Sequence, residues 1–184
     1  VSVEEAVGFA VRIPGWMHPH ELRWLYARAA QLEPGDTWVE IGAWKGRSTA
    51  AVLHGLPPAA TLVAIDTWRG SGVEGTREAE HGDDAVFRAF LENMAQAILD
   101  APDRDLCVMR GDSATVASRL NILSAVVFID GDHEQAAVSR DLDAWKGRAA
   151  LLCGHDRGHP DVQAALAWHG IEYDEGPGGI WIRR

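Results

Sequence analysis

The run Ser124-Ala-Val-Val-Phe-Ile-Asp130 constrains the fold of this chain more than any other segment. It is apolar almost from end to end and lacks the alternation of a half-exposed strand, the mark of a central strand covered on both faces. The flanking sequence supplies both the partner strands and the covering helices. Thr37-Trp-Val-Glu-Ile-Gly42 follows a Pro34-Gly35-Asp36 stop and reads as the first strand, Thr61 to Asp66 as the second, and Leu106 to Arg110 as the third. A helix is expected from about Gly46 to His54. Val86, Phe87, Phe90, Leu91, Met94 and Ile98 then recur at helical spacing, as do Val138, Leu142 and Trp145, with Arg140, Asp141 and Asp143 facing out. Upstream, Pro19 to Leu32 is amphipathic; downstream, Ala149 to Cys153 reads as a buried strand and Asp161 to Trp168 as a short helix. The last two strand-like pieces, Ile171 to Asp174 and Gly179 to Ile182, are too close together for a crossover helix and should pair antiparallel. Strands alternating with helices predict an α/β, doubly wound, mainly parallel sheet.

The 184 residues fit one domain, 1–184, with 1–35 as an N-terminal helical segment and 70–100 as a loop and helix. Gly70 to Asp84 is rich in Gly and acidic residues and would serve as a lid. The formal charge of −10 argues against a surface built on nucleic-acid phosphates, so no nucleic-acid partner is expected. No apolar run approaches the roughly 18 residues of a membrane helix, and the early Glu4 and Glu5 do not fit a signal peptide. The expectation is therefore a cytoplasmic chain without a membrane partner. His18, His20, His54, His81 and His169 read as surface residues, and Trp38, Trp145 and Trp168 as core.

In open α/β sheets, ligands bind beyond the carboxyl ends of the strands. The first strand runs into Glu40-Ile-Gly42-Ala43-Trp44-Lys-Gly46-Arg-Ser48. Gly42 and Gly46 allow a tight turn and close backbone approach. This Gly-x-x-x-Gly pattern is neither the dinucleotide Gly-x-Gly-x-x-Gly nor a phosphate loop. The second strand ends in Asp66-Thr67-Trp68, where a carboxylate can accept from ribose hydroxyls. The third ends in Gly111-Asp112-Ser113, where an acid and a backbone N–H can read an adenine edge; a helix N-cap explains Asp112 nearly as well. Three successive strands ending in such elements carry more weight than any one of them.

With Phe128-Ile-Asp130-Gly-Asp132-His133 and Gly154-His-Asp156, these motifs resemble those of class I S-adenosylmethionine-dependent methyltransferases over roughly residues 37 to 184. The nearest branch is that of small-molecule O-methyltransferases, including the macrocin-type sugar enzymes. The resemblance implies a Rossmann-like seven-stranded sheet ordered 3-2-1-4-5-7-6 with strand 7 antiparallel. It implies that Glu40, Gly42 and Ser48 flank the methionine moiety, with Ala43, Trp44 and Gly46 on the same loop. Asp66, with Thr67 and Trp68, would hold the ribose; Gly111, Asp112 and Ser113 the adenine. In that order Cys107 and Cys153 stand four strands apart, roughly 19 Å at about 4.8 Å per step, so buried free thiols are expected rather than a disulfide.

Methyl transfer is an in-line displacement, so the protein must position an acceptor and remove its proton. Asp130 and Asp156 end neighbouring strands and can converge on a cation, and metal-dependent relatives place aspartates at both positions. Oxygen ligands suggest Mg2+. Arg157 stands where many relatives carry a further Asn or Asp; His133, His155 or Asp132 are the available substitutes. Asp130 is also close enough to the fourth strand's end to touch cofactor. His133 or Asp132 is the candidate general base, and His155 and His159 border the same edge. Trp16, Trp44 and Trp68 are candidate pocket walls. The expected partner is a small-molecule methyl acceptor such as a sugar or phenol, with a homodimer as a further expectation. A nicotinamide-dependent oxidoreductase, a non-catalytic S-adenosylmethionine-binding module and a nucleic-acid methyltransferase are the alternatives.

Overall fold

The computed structural model describes residues 1–70 and 84–184. In chain order the elements are α1 (Val3–Ala10), α2 (Pro19–Ala29), β1 (Thr37–Ile41), α3 (Arg47–Gly55), β2 (Thr61–Asp66), α4 (Ala85–Asp100), β3 (Asp105–Arg110), α5 (Ser113–Arg119), β4 (Ser124–Ile129), α6 (Gln135–Trp145), β5 (Ala149–Gly154), α7 (Pro160–Trp168), β6 (Tyr173–Glu175) and β7 (Trp181–Arg183). The strands form one seven-stranded sheet in the order β3-β2-β1-β4-β5-β7-β6. β1 to β5 pair in parallel, and β7 runs antiparallel to both β5 and β6. The expected architecture is therefore the observed one, and the antiparallel closing pair follows from its short connection. Most of the segment expected to act as a lid, residues 71–83, lies outside the described residues.

Alternate residues of each central strand feed opposite layers. Trp38, Leu62, Val126 and Phe128 pack under α1 to α4, whereas Val39, Ile41, Val63, Ile65, Val127 and Ile129 pack under α5, α6 and α7. Both faces of β1 and β4 are thus dry, as the continuous apolar run of β4 requires. The most voluminous buried side chains include Trp38, Trp145, Trp181, Phe90 and Phe128. Each contributes roughly 1.5–3 kcal/mol or more through area removed from water.

Hydrogen bonds carry the ladder past the strand ends. The N–H of Gly42 donates to the Ile65 carbonyl at 2.9 Å, that of Asp130 to Ile41 at 2.8 Å, and that of His155 to Ile129 at 3.0 Å. This registers the loops after β2, β1, β4 and β5 along one edge. Gly42 permits it: its φ is +88°, and a Cβ there would collide with the carbonyl oxygen of Asp130. The glycine is needed for strand-to-strand approach, not only for approach to a ligand.

Five sequence expectations need correction. Trp168 is 79% exposed, because Val162, Ala165 and Leu166 define the buried face of α7 and position 168 falls away from it. His54 is buried, its ring edge-on to Phe9 of α1 and its Nε2 3.3 Å from the Ala97 carbonyl; His169 is also largely covered, beside Lys146 Nζ at 3.1 Å. Asp141 turns inward and bonds to the Ser113 hydroxyl. Cys153 is buried as expected, but Cys107, on edge strand β3, is only half-buried. Among the described residues no helix is long and apolar enough to cross a membrane.

Candidate active site

The aligned strand ends open into a cleft of about 810 Å³. Gly42, Ala43, Trp44, Ser48, Asp66, Thr67, Trp68, Gly111, Asp112, Ser113, Asp130, Asp132, His133 and Asp156 all line it. Glu40 and Gly46 stand behind its wall. Glu40 is fully buried, with Oε2 accepting from the Thr49 hydroxyl at 2.6 Å. Burial pushes its carboxyl up to about 7, against the hydrogen bonds of Ser48 and Thr49. Gly46, at φ +92°, faces Met94 and Phe90 of α4.

On the β1–β3 side, acids are bound to nearby backbone. Asp66 Oδ2 accepts from the N–H groups of Ala43 and Trp44 at 2.9 and 2.8 Å, and Oδ1 from that of Trp68 at 2.7 Å. A carboxylate offers about four lone-pair sites, so Asp66 stitches two loops together and keeps room for one further donor. The indole N–H of Trp68 donates to the Trp44 carbonyl at 2.7 Å, locking the same loops. Asp112 caps α5, accepting from the Thr115 N–H at 2.9 Å. Behind it, burial raises the Asp141 carboxyl to about 6, opposed by its bond from Ser113. Trp44, Trp68 and Asp156 hold left-handed backbone at φ +41°, +51° and +56°, costing about 1–2 kcal/mol each; all three line the cleft.

The roof of this side comes from the α1–α2 linker, of which the sequence singled out only Trp16 as a pocket wall. Arg47 of α3 donates to the carbonyls of Ile13 at 2.7 Å and Met17 at 2.9 Å, pinning the linker. Trp16 then packs on Trp44 with ring centroids 4.5 Å apart at the cleft mouth. The Trp44 and Trp68 walls are where the sequence suggested; the indole of Trp16 remains mostly solvent-exposed.

On the β4–β5 side, side chains bind side chains. Asp130, His133 and Asp156 each present a donor atom within 4.8 Å of the others. His133 Nε2 lies 2.8 Å from Asp156 Oδ2. His155 Nδ1 lies 3.2 Å from Asp156 Oδ2 and 3.6 Å from Asp130 Oδ1. Burial pushes the Asp130 carboxyl up to about 8, with the Asp156 charge adding to it and His155 opposing. Burial works against ionisation of Asp156 too, but hydrogen bonds from His133 and His155 hold it well below the usual carboxylate range. His155 is pushed up to about 10: burial lowers it, and bonds to Asp156 and Glu21 more than reverse that. Asp132 Oδ1 accepts from the Glu134 N–H at 2.9 Å, shaping the entry to α6. His159 N-caps α7 and its ring lies 5.5 Å from that of His133.

Glu21 was not anticipated. It sits on α2, is 2% exposed, and its Oε1 lies 2.8 Å from His155 Nε2. Only its place beside Leu22 and Leu25 in an otherwise apolar helix face hinted at a partnered acid.

The chain matches a family described as a methyltransferase domain over residues 39–155. Similar solved structures include a Corynebacterium glutamicum protein at 17% identity and TM-score 0.63, covering 98% of this chain and 88% of that one. A Bacillus cereus O-methyltransferase in complex with S-adenosylhomocysteine is 15% identical with TM-score 0.60, covering 99% and 90%. A TDP-rhamnose 3'-O-methyltransferase of calicheamicin biosynthesis is 13% identical with TM-score 0.59, covering 99% and 92%. At these identities the likeness is one of fold, whereas the family match spans most of the chain and includes the cleft loops after β1, β2, β3 and β4. The chain belongs to the methyltransferase domain family and is an S-adenosylmethionine-dependent methyltransferase.

Proposed function

We propose that this enzyme transfers the methyl group of S-adenosylmethionine to an oxygen of a small acceptor, a sugar or phenol of natural-product type. The observation that carries the reading is the division of one cleft into a backbone-tied acidic half and a His/Asp half. The spare lone pair of Asp66 suits one ribose hydroxyl. Ser113 and Asp112 suit the adenine edge, with Asp141 behind them. Gly42, Ala43, Trp44 and Ser48 suit the methionine end, where the aromatic face of Trp44 attracts a sulfonium. Glu40 and Gly46 support that loop from behind.

On the other half, His133 is the better placed base: its imidazole is oriented by Asp156, whereas Asp132 is committed to the start of α6. Asp130 and Asp156, with His155 Nδ1 beside both, fit a divalent cation by donor type and spacing. A bound cation would supply Lewis acidity that lowers the acceptor's pKa; Mg2+ is the ion the sequence suggested. The residues themselves orient the acceptor oxygen toward the methyl group and take its proton. The sugar-directed branch is supported by the fold likeness to the TDP-rhamnose enzyme and by the sequence resemblance.

The test is transfer of isotope-labelled methyl to a panel of phenols and nucleotide sugars, with and without divalent cations. Label in an ether product is the expected result. Label on nitrogen or carbon only, or none across the panel despite tight cofactor binding, would contradict O-methylation; the second outcome fits a module whose partner supplies the acceptor.

A further inference from the structure

The donor geometry of His155 has a chemical consequence for the cation site proposed above, on which this inference rests. An ionised Glu21 accepts hydrogen bonds and donates none. It receives three: from His155 Nε2 at 2.8 Å, from the Gly179 N–H at 2.8 Å and from the His18 N–H at 2.6 Å. Nε2 of His155 therefore carries hydrogen. Nδ1 is the nitrogen turned toward Asp130 Oδ1 and Asp156 Oδ2. In the metal-free protein Nδ1 lies within hydrogen-bond distance of Asp156 Oδ2 and donates to it when the ring is charged; a cation seated between the two acids would take the place of that proton and meet the Nδ1 lone pair.

The surroundings hold the ring to this one orientation. A Cβ on Gly179 would press on the His155 ring at 2.9 Å, and one on Gly178 would run into Glu21. The Trp181 indole N–H grips the His155 carbonyl at 3.0 Å. A carboxylate accepting from one imidazole nitrogen while the other meets a metal is the recurrent outer-sphere arrangement of metal-bound histidine. His133 Nε2 meets the same Asp156 oxygen at 2.8 Å, so Asp156 links the site to the base. Arg157, which follows, contributes no oxygen donor; its guanidinium is turned to the Gly178 carbonyl and Glu175.

We propose that Asp130, Asp156 and His155 form a mixed nitrogen–oxygen site for a first-row transition ion such as Mn2+, Fe2+ or Co2+ in preference to Mg2+, which leaves His133 to act as base. Glu21, from the N-terminal helix, is the positioning residue that presents His155 Nδ1 to it. Imidazole donors suit later first-row metals, whereas Mg2+ selects oxygen ligands and retained water. Glu21 lies outside the matched methyltransferase segment, so α2 makes the site in this chain a joint product of its two ends.

The experiment titrates Co2+ and Mg2+ into wild type, Glu21→Gln and His155→Gln, following the visible absorption of bound Co2+ and heats for Mg2+. Pulsed EPR of bound Mn2+ reads nitrogen coupling directly. S-Adenosylmethionine is titrated into the same samples. Expected are saturable Co2+ binding with nitrogen-coupled Mn2+ in wild type, and Co2+ affinity about 10- to 100-fold weaker in Glu21→Gln. His155→Gln, which keeps a donor for Glu21, should lose at least as much for Co2+ and less for Mg2+. Thermal melts report folding, and should Glu21→Gln fail to fold, His155→Gln carries the test. Absence of Co2+ binding, absence of nitrogen coupling, or equal Co2+ affinity in wild type and His155→Gln overturns the proposal. If cofactor still binds in that case, the methyltransfer reading stands without this site; if wild type binds no cofactor, that reading fails separately.

Discussion

The two halves of the cleft are built by different means. On the β1–β3 side, proposed to hold the cofactor, Asp66 and Asp112 spend their oxygens on backbone N–H groups of the loops they belong to or adjoin. On the β4–β5 side, proposed to hold the acceptor, the contacts are between side chains, and one joins residues 134 positions apart. The first kind preorganises a surface of fixed dipoles that needs no other part of the chain than two adjoining strand ends. The second makes chemistry conditional on tertiary assembly, because His155 takes its orientation from a helix that precedes the sheet. The difference implies that binding and turnover can be damaged independently.

The largest expected effect follows from that independence. His133→Ala should slow methyl transfer by about 100- to 10,000-fold, while cofactor affinity changes by no more than about twofold, the range for sites that share no partner. Single-turnover rates beside calorimetric affinities measure both. A parallel loss of cofactor affinity would break the division between the halves.

Next in size is a pH effect at the back of the cofactor half. Glu40 ionises in the unfolded chain near its ordinary value, about 4.3, and in the folded protein only at about 7. Between those values the folded state holds a proton that the unfolded state has released. Stability from this group is therefore fully present below about 4.3 and is lost as pH rises to 7, after which it is flat. The loss is on the order of 3 kcal/mol for a fully buried carboxyl. Glu40→Gln should flatten the difference in urea stability between pH 5 and pH 8 relative to wild type. Asp130, raised to about 8, contributes with the same sign, so an unchanged pH dependence in Glu40→Gln would mean that Asp130 carries it and Glu40 does not.

The smallest effect is at Trp168. Despite its size it is mostly exposed, so Trp168→Ala should change stability by less than about 0.5 kcal/mol. A large drop in melting temperature would show that the indole is covered in solution.

Sequence carried most of the sheet because its signals are local. Apolar runs mark β2 and β4, the Pro34-Gly35-Asp36 stop marks the start of β1, and the spacing of Val138, Leu142 and Trp145 marks α6. The missed helix α5 is short, and small and polar in Ser113-Ala-Thr-Val-Ala-Ser-Arg119, so no apolar stripe announces it. The residues that line the cleft on the β1–β3 side were legible since each lies within a few positions of a strand end. His54 and Glu21 were not, because what covers the first is α1 and what pairs the second is the β5 edge, and neither neighbour is near in sequence. Asp141 was misread for a related reason: its polar type suggested solvent, but Ser113 of α5 meets it.

The central claim is that the carboxyl edge of β1 to β3 binds S-adenosylmethionine through a loop pair stitched by Asp66. Calorimetric titration of the cofactor into wild type and Asp66→Ala, each checked for folding by circular dichroism, tests it most directly. The account predicts saturable wild-type binding that the folded variant loses. Absence of binding by well-folded wild type, or saturable binding of NADH in its place, would contradict it.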